Sequence, residues 1–343
     1  MRRPLLLPLV PLYAAGLALR EWRLERGWDK VRRLRWPVVS VGNLSAGGSG
    51  KTPLVIALVR LLRERGWSVD VLSRGYGRVG QQAARVLVDG TAEEFGDEPL
   101  LIARKAGVPV WVAAERFEAG RLAESEKQKD EGRPRVHILD DGFQHRQLAR
   151  DVDVVLVNDE DLHDSLLPAG NLREPVKALN RSTVIAIPAG DRQVEQYLSP
   201  AVSIDRNSGG SRWHGPLWRV RRRMNVPQVD GPVAAFCGIA RAEQFFAGLE
   251  SAGLRIVVKQ AFADHHPFTA SDVESLIAKA QAAGAMTLIT TEKDEVRLGK
   301  LMCGIPDSLE LQTVSLTLEI EDETVVGDWL LSRLDASRLM SAL

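Results

Sequence analysis

The chain has 343 residues, of which 45% are hydrophobic and 26% charged, and its formal net charge at pH 7 is zero. The length exceeds one typical domain, so we expect two domains, and the zero net charge provides no global field that would favour nucleic acid as a partner. Cys237 and Cys303 stand far apart and make neither a metal-binding box nor a disulfide framework, which fits a reducing cytosol.

The first residues combine a basic start with an apolar run. Residues 4–19 carry no charge, and prolines interrupt their beginning; the run is shorter than the roughly 20 residues of a membrane-spanning helix. A net basic helical segment with Trp22 and Trp28 follows without a polar linker, which argues against a cleaved signal peptide. Two interpretations stay open: a helix at the inner face of a membrane, and a helix packed on the protein's own core.

A glycine-dense loop follows an apolar, β-branched run at residues 38–44 and leads into an apolar-periodic segment that ends near Arg65. Strand, loop and helix in this order are the context of a phosphate-binding loop, in which backbone N–H groups and a helix N-terminus face an anion. We expect Lys51 to reach the β- and γ-phosphates and Thr52 to take a place on Mg²⁺. The predicted nucleotide-binding residues are Gly47, Gly48, Ser49, Gly50, Lys51 and Thr52.

The match to the standard phosphate-loop pattern has one defect. The pattern has glycine where this chain has Ser45, and a looser pattern requires lysine where this chain has Ala46. The alternative is a glycine-rich turn without a ligand. Because Lys51 and Thr52 fall where both would act, the loop predicts binding of a nucleoside triphosphate and leaves the reaction open.

Two candidate loops follow. A predicted strand at 68–73 ends in a turn that contains Arg74 and Arg78, and ligands of open α/β sheets bind at such carboxyl ends. After a short predicted strand at 84–88, Asp97 precedes a predicted helix to about residue 106. Helix capping would explain an aspartate here; the functional alternative is a carboxylate beside the nucleotide.

An apolar strand from residue 135 ends in Asp140 and Asp141. Downstream of a P-loop this is the Walker B arrangement, in which the strand presents a carboxylate to the Mg²⁺ held by Thr52, directly or through water. After a strand at 152–158, a loop contains Arg173 and Glu174, for which a surface pair is the structural alternative.

The alternation of strands and helices predicts a P-loop NTPase-type, mostly parallel sheet with helices on both faces. A polar, glycine-rich stretch around 188–215 marks a boundary to a second, smaller α/β domain. The predicted divisions are an N-terminal membrane-interface helix at 1–35, a core at 36–205, the second domain with hinge strands at 206–330, and a C-terminal helix at 331–343.

The second domain contains two charged segments of interest. Residues 218–223 alternate apolar with basic side chains, which is consistent with a bridging strand that has a phosphate- or lipid-facing edge, or with a solvated charged strand. A predicted strand at 255–262 is followed by Asp264, His265 and His266. An Asp–His pair can provide or orient a general base, whereas a metal site would need more ligands. The alternative is a cap for the next helix.

These motifs resemble those of the tetraacyldisaccharide 4′-kinases, the lipid A 4′-kinases of Gram-negative bacteria, over nearly the whole length. Ser45, which departs from the standard P-loop, is the residue that this family uses. The motifs that carry the resemblance lie at residues 41–53, 73–78, 96–99, 114–116, 140–145, 167–174, 262–265 and 291–294.

The resemblance implies ATP- and Mg²⁺-dependent phosphoryl transfer to the 4′-hydroxyl of a tetraacylated glucosamine disaccharide 1-phosphate, with lipid IVA as the product. It also implies a peripheral or monotopic enzyme at the cytoplasmic face of the bacterial inner membrane, which favours the interfacial interpretation of the N-terminal helix. By match to the family's motifs, Asp97 is the catalytic base, assisted by His265 with Asp264 beside it, and Asp140 and Asp141 are the Walker B acids.

The substrate phosphates need cationic partners, and arginine grips phosphate through two donors. The candidates for the 1-phosphate or the transferred group are Arg74, Arg78, Arg116 and Arg173, with Glu174 in the same motif as Arg173.

Two other functions stay open. A membrane-associated P-loop NTPase switch that binds a protein partner would have no use for Asp97 and His265, and its looser P-loop would need lysine at Ala46. A soluble small-molecule kinase would stay soluble after high salt, whereas an interfacial helix should need detergent. The sequence indicates no nucleic-acid partner and leaves protein partners unknown.

Overall fold

The computed structural model describes residues 3–48, 50–126, 132–198 and 215–341. Its strands are β1 (Val38–Asn43), β2 (Ser68–Ser73), β3 (Ala84–Arg85), β4 (Val110–Val112), β5 (Arg135–Asp140), β6 (Val152–Leu156), β7 (Val184–Pro188), β8 (Leu217–Asn225), β9 (Pro232–Cys237), β10 (Arg255–Ala261), β11 (Thr287–Thr291) and β12 (Glu310–Ile320).

The α-helices are α1 (Val10–Glu25), α2 (Lys51–Glu64), α3 (Ala92–Phe95), α4 (Asp97–Ala106), α5 (Arg116–Ser125), α6 (Asp159–His163), α7 (Arg192–Leu198), α8 (Ala242–Ser251), α9 (Ala270–Ala282), α10 (Glu292–Leu298) and α11 (Glu323–Ser341). Short 3₁₀ segments lie at Pro4–Leu9, Val176–Arg181 and Gly299–Gly304.

Within the described ranges the strands form one mixed sheet, in the order β10-β9-β11-β12-β8-β7-β6-β1-β5-β2-β4-β3. Strands β7, β6, β1, β5, β2 and β4 are parallel neighbours, and β3 runs antiparallel at the edge. Strands β10, β9, β11 and β12 form a second parallel set. We call the two sets the first and second lobes.

The long strands β8 and β12 join the lobes as an antiparallel ribbon. The start of β8 pairs parallel with β7, and its end pairs antiparallel with β12 from Val220↔Ile320 to Asn225↔Ser315. The start of β12 pairs parallel with β11. Because each ribbon strand leaves one lobe and enters the other, the carboxyl ends of both parallel sets face the same cleft. Whether these strands act as a hinge stays a prediction.

Helices cover both faces of the first lobe. Apolar residues of α2, α4 and α11 pack with one face of the sheet, including Val39, Val71 and Ile138. Residues of α5 pack on the opposite face with Leu72 and Leu139, as alternation along the strands requires. This arrangement confirms the predicted fold class.

Some predicted boundaries differ from the structure. The strand predicted at 84–88 is limited to Ala84–Arg85, and the C-terminal helix begins at Glu323 instead of residue 331. The predicted domain boundary at 205/206 lies outside the described residues, so the domain division stays a prediction.

The N-terminal helix exists, but it buries none of its residues. By length and composition the segment Pro4–Glu25 could cross a membrane, and an 18-residue window within it has a mean hydropathy of 1.2. Leu5, Leu12 and Leu19 are exposed, so the helix is not packed into the protein's own core. Polar contacts attach it: the Tyr13 hydroxyl donates to the Arg173 carbonyl at 3.0 Å, and Arg20 pairs with Glu174 at 3.0 Å.

Candidate active site

A cavity of about 960 Å³ lies in the cleft between the lobes. Residues from the phosphate-binding loop, from the carboxyl ends of β2 and β5, from the ribbon and from the second lobe line it. The facing carboxyl ends of the two parallel sets explain why so many sequence-distant motifs meet here, since ligands of α/β sheets bind at such ends.

The predicted phosphate-binding loop connects β1 to α2 and lines this cavity. Gly47 and Gly50 have φ angles of +109° and +92°, a region that costs glycine little and other residues much. A Cβ on Gly47 would lie 3.8 Å from the Ala240 side chain of the second lobe. Ser49, which we also predicted to bind the nucleotide, lies outside the described residues.

Lys51 and Thr52 begin α2, so both side chains sit at the positive end of a helix. The Lys51 ammonium donates to Asn43 Oδ1 at 3.0 Å and lies 3.5 Å from Asp141 Oδ1. Thr52 is buried at the cavity wall. Both predicted residues therefore lie where a triphosphate tail would enter the loop.

Asp140 and Asp141 end β5 in different environments. Burial, Glu98 and Asp141 raise the pKa of Asp140 to about 7. Ser73 donates to its Oδ2 at 3.1 Å, whereas Oδ1 is buried without a hydrogen-bond partner among the described residues. Burial also disfavours the Asp141 anion, but Lys51 and Arg173 hold its pKa below the ordinary value.

The predicted substrate residues divide into two groups. Arg74, Arg116 and Arg173 line the cavity, and Arg173 donates to both carboxylate oxygens of Asp141 at 2.9 and 2.8 Å. Burial lowers the pKa of Arg116 to about 10, which leaves it cationic at neutral pH. Arg78 is not among the lining residues, and its guanidinium donates to the Gln82 carbonyl at 2.7 Å.

Glu174 is also outside the lining and is 4% exposed. Its carboxylate pairs with Arg20 of α1 and with Arg181. The surface-pair interpretation of Arg173 and Glu174 is therefore wrong, because each residue has other partners and Glu174 is buried. The geometry gives Glu174 a structural role, the attachment of the N-terminal helix.

Asp97 and His265 meet across the cleft. Asp97 is the first residue of α4, and His265 follows β10; Nδ1 of the imidazole lies 3.0 Å from Asp97 Oδ2. Gly96, not Asp97, is the N-cap of α4, and the Asp97 carboxylate contacts His265 and Arg297, so the capping interpretation is wrong. Asp264 Oδ1 lies 4.0 Å from His265 Nε2. His266 instead belongs to the cap of α9, 3.1 Å from Asp272.

The two partners have different exposures and opposite pKa shifts. His265 is 36% exposed and Asp97 is 6% exposed. Burial alone would raise the pKa of Asp97, but the hydrogen bond to His265 and the charges of Arg297 and Lys293 lower it below the ordinary value. The same hydrogen bond raises the pKa of His265. The carboxylate is thus held ionised behind an imidazole that faces the cavity.

Several residues of the site were not predicted. Asn43, which ends β1, accepts from Lys51 and Arg173. Glu98 and Lys293 pair across the lobes, and both lie inside motifs that we used without assigning them a role. Arg297 pairs with Asp97 and lies outside every motif, so the sequence carried no signal for it.

The arginines of β8, which the sequence analysis singled out at residues 218–223, lie on two different faces of the strand. Arg219, Arg221 and Arg223 project from β8 and pair with Glu195, Glu321 and Glu319, as a solvated charged strand would. Arg222, on the other face, lines the cavity beside the phosphate-binding loop.

A phosphate-binding loop, a buried carboxylate at the end of the adjacent strand and an Asp–His pair across one cleft define a P-loop phosphotransferase. Residues 2–335 match the family model of LpxK, tetraacyldisaccharide-1-P 4′-kinase. This chain belongs to the tetraacyldisaccharide 4′-kinase family.

Individual relatives agree over nearly the whole chain. The tetraacyldisaccharide 4′-kinase of Koribacter versatilis is 40% identical over 333 residues, which cover 94% of this chain and 96% of the relative. That of Syntrophus aciditrophicus is 38% identical over 332 residues, with 90% and 86% coverage. The crystal structure of "apo" form LpxK from Aquifex aeolicus in complex with ATP superposes with a TM-score of 0.72 at 31% identity, covering 97% of this chain and 99% of the other.

Proposed function

We propose that this chain is the ATP-dependent kinase that phosphorylates the 4′-hydroxyl of tetraacyldisaccharide 1-phosphate to give lipid IVA. One observation carries the proposal: the phosphate-binding loop with Lys51 lines the same cavity as His265, which comes from the second lobe and contacts the buried carboxylate of Asp97. A phosphate donor and a proton acceptor are the two parts that phosphorylation of an alcohol requires. Membership of the family and the ATP complex of its Aquifex aeolicus relative support this assignment.

We assign the donor site to the phosphate-binding loop. Backbone N–H groups and the α2 N-terminus would hold the phosphate oxygens, and Lys51 would stabilise charge on the transferred group. Arg116 and Arg173 reach the same cavity and are candidates for the transferred group or the acceptor's 1-phosphate.

The donor set fits Mg²⁺. Asp140 Oδ1 is buried and unpartnered among the described residues, as a carboxylate oxygen reserved for a hard cation would be. Thr52 and Asp140 are the candidate ligands, with Glu98 close enough to raise the pKa of Asp140. Asp141 was predicted as a ligand, but Arg173 occupies both of its oxygens. When bound, the metal would neutralise phosphate charge.

We assign proton transfer to His265, oriented by Asp97. The acceptor oxygen bonds to the γ-phosphorus, the bond from that phosphorus to the ADP oxygen breaks, and the hydroxyl proton passes to the imidazole. Asp97 is the more buried partner and is held as an anion, which suits an orienting carboxylate better than a proton acceptor. In this assignment His265 is the base and Asp97 assists it, whereas the family resemblance predicted Asp97 as the base with His265 assisting.

We place the enzyme at the cytoplasmic face of the inner membrane, as a peripheral or monotopic protein. Leu5, Leu12 and Leu19 expose an apolar surface on the N-terminal helix, and Arg20 of the same helix lines the cavity. A helix lying in the interface would bring acyl chains close to the site. After lysis, the protein should resist high salt and need detergent for release; release by salt alone would support the soluble-kinase alternative.

The decisive assay combines purified protein, labelled ATP, Mg²⁺ and tetraacyldisaccharide 1-phosphate, and scores a product with a second phosphate. Asp97→Ala and His265→Ala are expected to lower transfer by about 10²-fold or more. Wild-type turnover in both variants would refute the role of the pair. ATP hydrolysis without a phosphorylated lipid would instead favour the NTPase switch.

A further inference from the structure

Arg297 on α10 is buried behind the Asp97–His265 pair, with its side chain 6% exposed. Its Nε donates to Asp97 Oδ2 at 2.9 Å, and Nη2 donates to the same oxygen. Its Nη1 donates to the Gly238 carbonyl at 2.6 Å and to Asp294 Oδ1 at 2.8 Å. A planar guanidinium is suited to such a junction, because its fork fixes several acceptors at once.

The Gly238 carbonyl links this junction to the backbone of the histidine. It accepts from the His265 N–H at 3.1 Å as well as from Arg297. His265 has a φ angle of +58°, a conformation that a non-glycine residue keeps only when its surroundings hold it. Arg297 therefore contacts both groups that orient His265: the carbonyl at its backbone and the carboxylate at its ring.

The contacts also select the tautomer of the imidazole. Nδ1 lies 3.0 Å from Asp97 Oδ2 and 3.3 Å from Arg297 Nη2. An ionised carboxylate can only accept, so the closer contact requires a proton on Nδ1. In the neutral ring Nε2 is then unprotonated and able to take a proton.

We propose that Arg297 is a positioning residue for phosphoryl transfer, which holds Asp97 and the Gly238 carbonyl in the arrangement that orients His265. The inference rests on the proposed kinase function, because it assigns Arg297 to the proton-transfer step of that reaction. The partners of Arg297 lie outside the phosphate-binding loop, so its loss should change the transfer step and leave ATP binding in place.

The surrounding charges give the direction of the pH effect. Besides Arg297, the charged and titratable groups around the pair are Glu98 on α4, Lys293 and Asp294 on α10, and Asp264 and Tyr76 beside His265. The cationic charge of Arg297 lowers the pKa of both Asp97 and His265. Removing it should therefore raise both pKa values, and the acidic limb of the rate profile should move to higher pH.

The test compares Arg297→Ala with Arg297→Lys in the full-length enzyme. For Arg297→Ala we expect kcat to fall by about 100-fold, the KM for ATP to stay within about twofold, and the acidic limb to rise by about one pH unit. Guanidinium chloride at millimolar concentration should restore part of the lost kcat. Arg297→Lys keeps the positive charge but lacks the forked set of guanidinium donors, so its kcat should fall while the acidic limb shifts less than in Arg297→Ala. If the alanine variant does not fold, the lysine variant alone provides the test.

Lys105→Ala is the matched control. Lys105 pairs with Glu292 across the same contact between α4 and α10, whereas among the described residues Asp97 bonds to His265 and Arg297. We expect its kcat and pH profile to match the wild type.

Three results would overturn the inference: unchanged kcat in both Arg297 variants, an equal loss in Lys105→Ala, or a loss of kcat without a shift of the limb and without a response to guanidinium. Failure of the wild-type enzyme to phosphorylate the disaccharide lipid would instead reject the proposed function, and with it the role of Arg297.

Discussion

Replacing Asp140 by asparagine tests whether the nucleotide site contains unfavourable electrostatic energy. Burial and the charges of Glu98 and Asp141 raise the pKa of Asp140 from 3.8 to about 7. The unfolded chain loses this proton more readily than the folded one, so the metal-free protein becomes less stable as the pH rises from about 4 to about 7. Three pKa units correspond to about 4 kcal/mol, an upper bound because neighbouring carboxylates titrate together with Asp140.

Asparagine has nearly the same shape and cannot ionise. At about pH 8 in the presence of a chelator, we expect Asp140→Asn to raise the melting temperature by up to about 6 °C, given an unfolding entropy of about 2.1 cal/mol/K per residue over 343 residues. At about pH 5.5 Asp140 is protonated in the folded protein but ionised in the unfolded chain, so about half of the difference should remain, and it should nearly vanish only below about pH 4. Scanning calorimetry at both pH values measures it. A variant that is less stable at the higher pH, or equally stabilised at both, would refute the reasoning.

Three other substitutions probe separate parts of the structure. Lys51→Met should lower transfer by about 10²–10³-fold, measured with labelled ATP, because charge stabilisation is often the largest catalytic contribution; a modest loss would contradict its role. Glu174→Gln should lower the free energy of unfolding in urea by about 2 kcal/mol. The loss of a fully buried ion pair would cost more, but the Arg20 side chain is 40% exposed. Arg223→Ala breaks an exposed pair with Glu319 and should change stability by less than about 0.5 kcal/mol; a larger effect would show that the pair is coupled to the ribbon.

The sequence predicted the parts of the site that depend on local order. A β-branched run, a glycine-dense loop and Lys51 specify strand, loop and helix without help from distant residues. Asp140 and Asp141 were found for the same reason, since an apolar strand carries its last residues to the edge of the sheet. The family resemblance contributed the pairing of Asp97 with His265, which are 168 residues apart.

The rest depends on tertiary contacts that no local pattern contains. Arg297 is one of many arginines in helical segments, and only the approach of α10 to α4 makes it a partner of Asp97. Arg78 and Glu174 are not among the residues that line the cavity, and their roles as substrate residues stay predictions. Residue type and loop position suggested both, but Glu174 turns away from the cleft to pair with Arg20 and Arg181.

The ribbon makes the cavity sensitive to single-residue insertions. Trp218, Val220 and Arg222 share the inner side of β8, whereas the arginines between them pair with glutamates in solvent. Because side chains alternate with a period of two, one extra residue in β8 would turn the ion-paired face toward the nucleotide and the tryptophan toward water. Length changes in this family should therefore accumulate in connecting loops, and the two ribbon strands should keep a constant length.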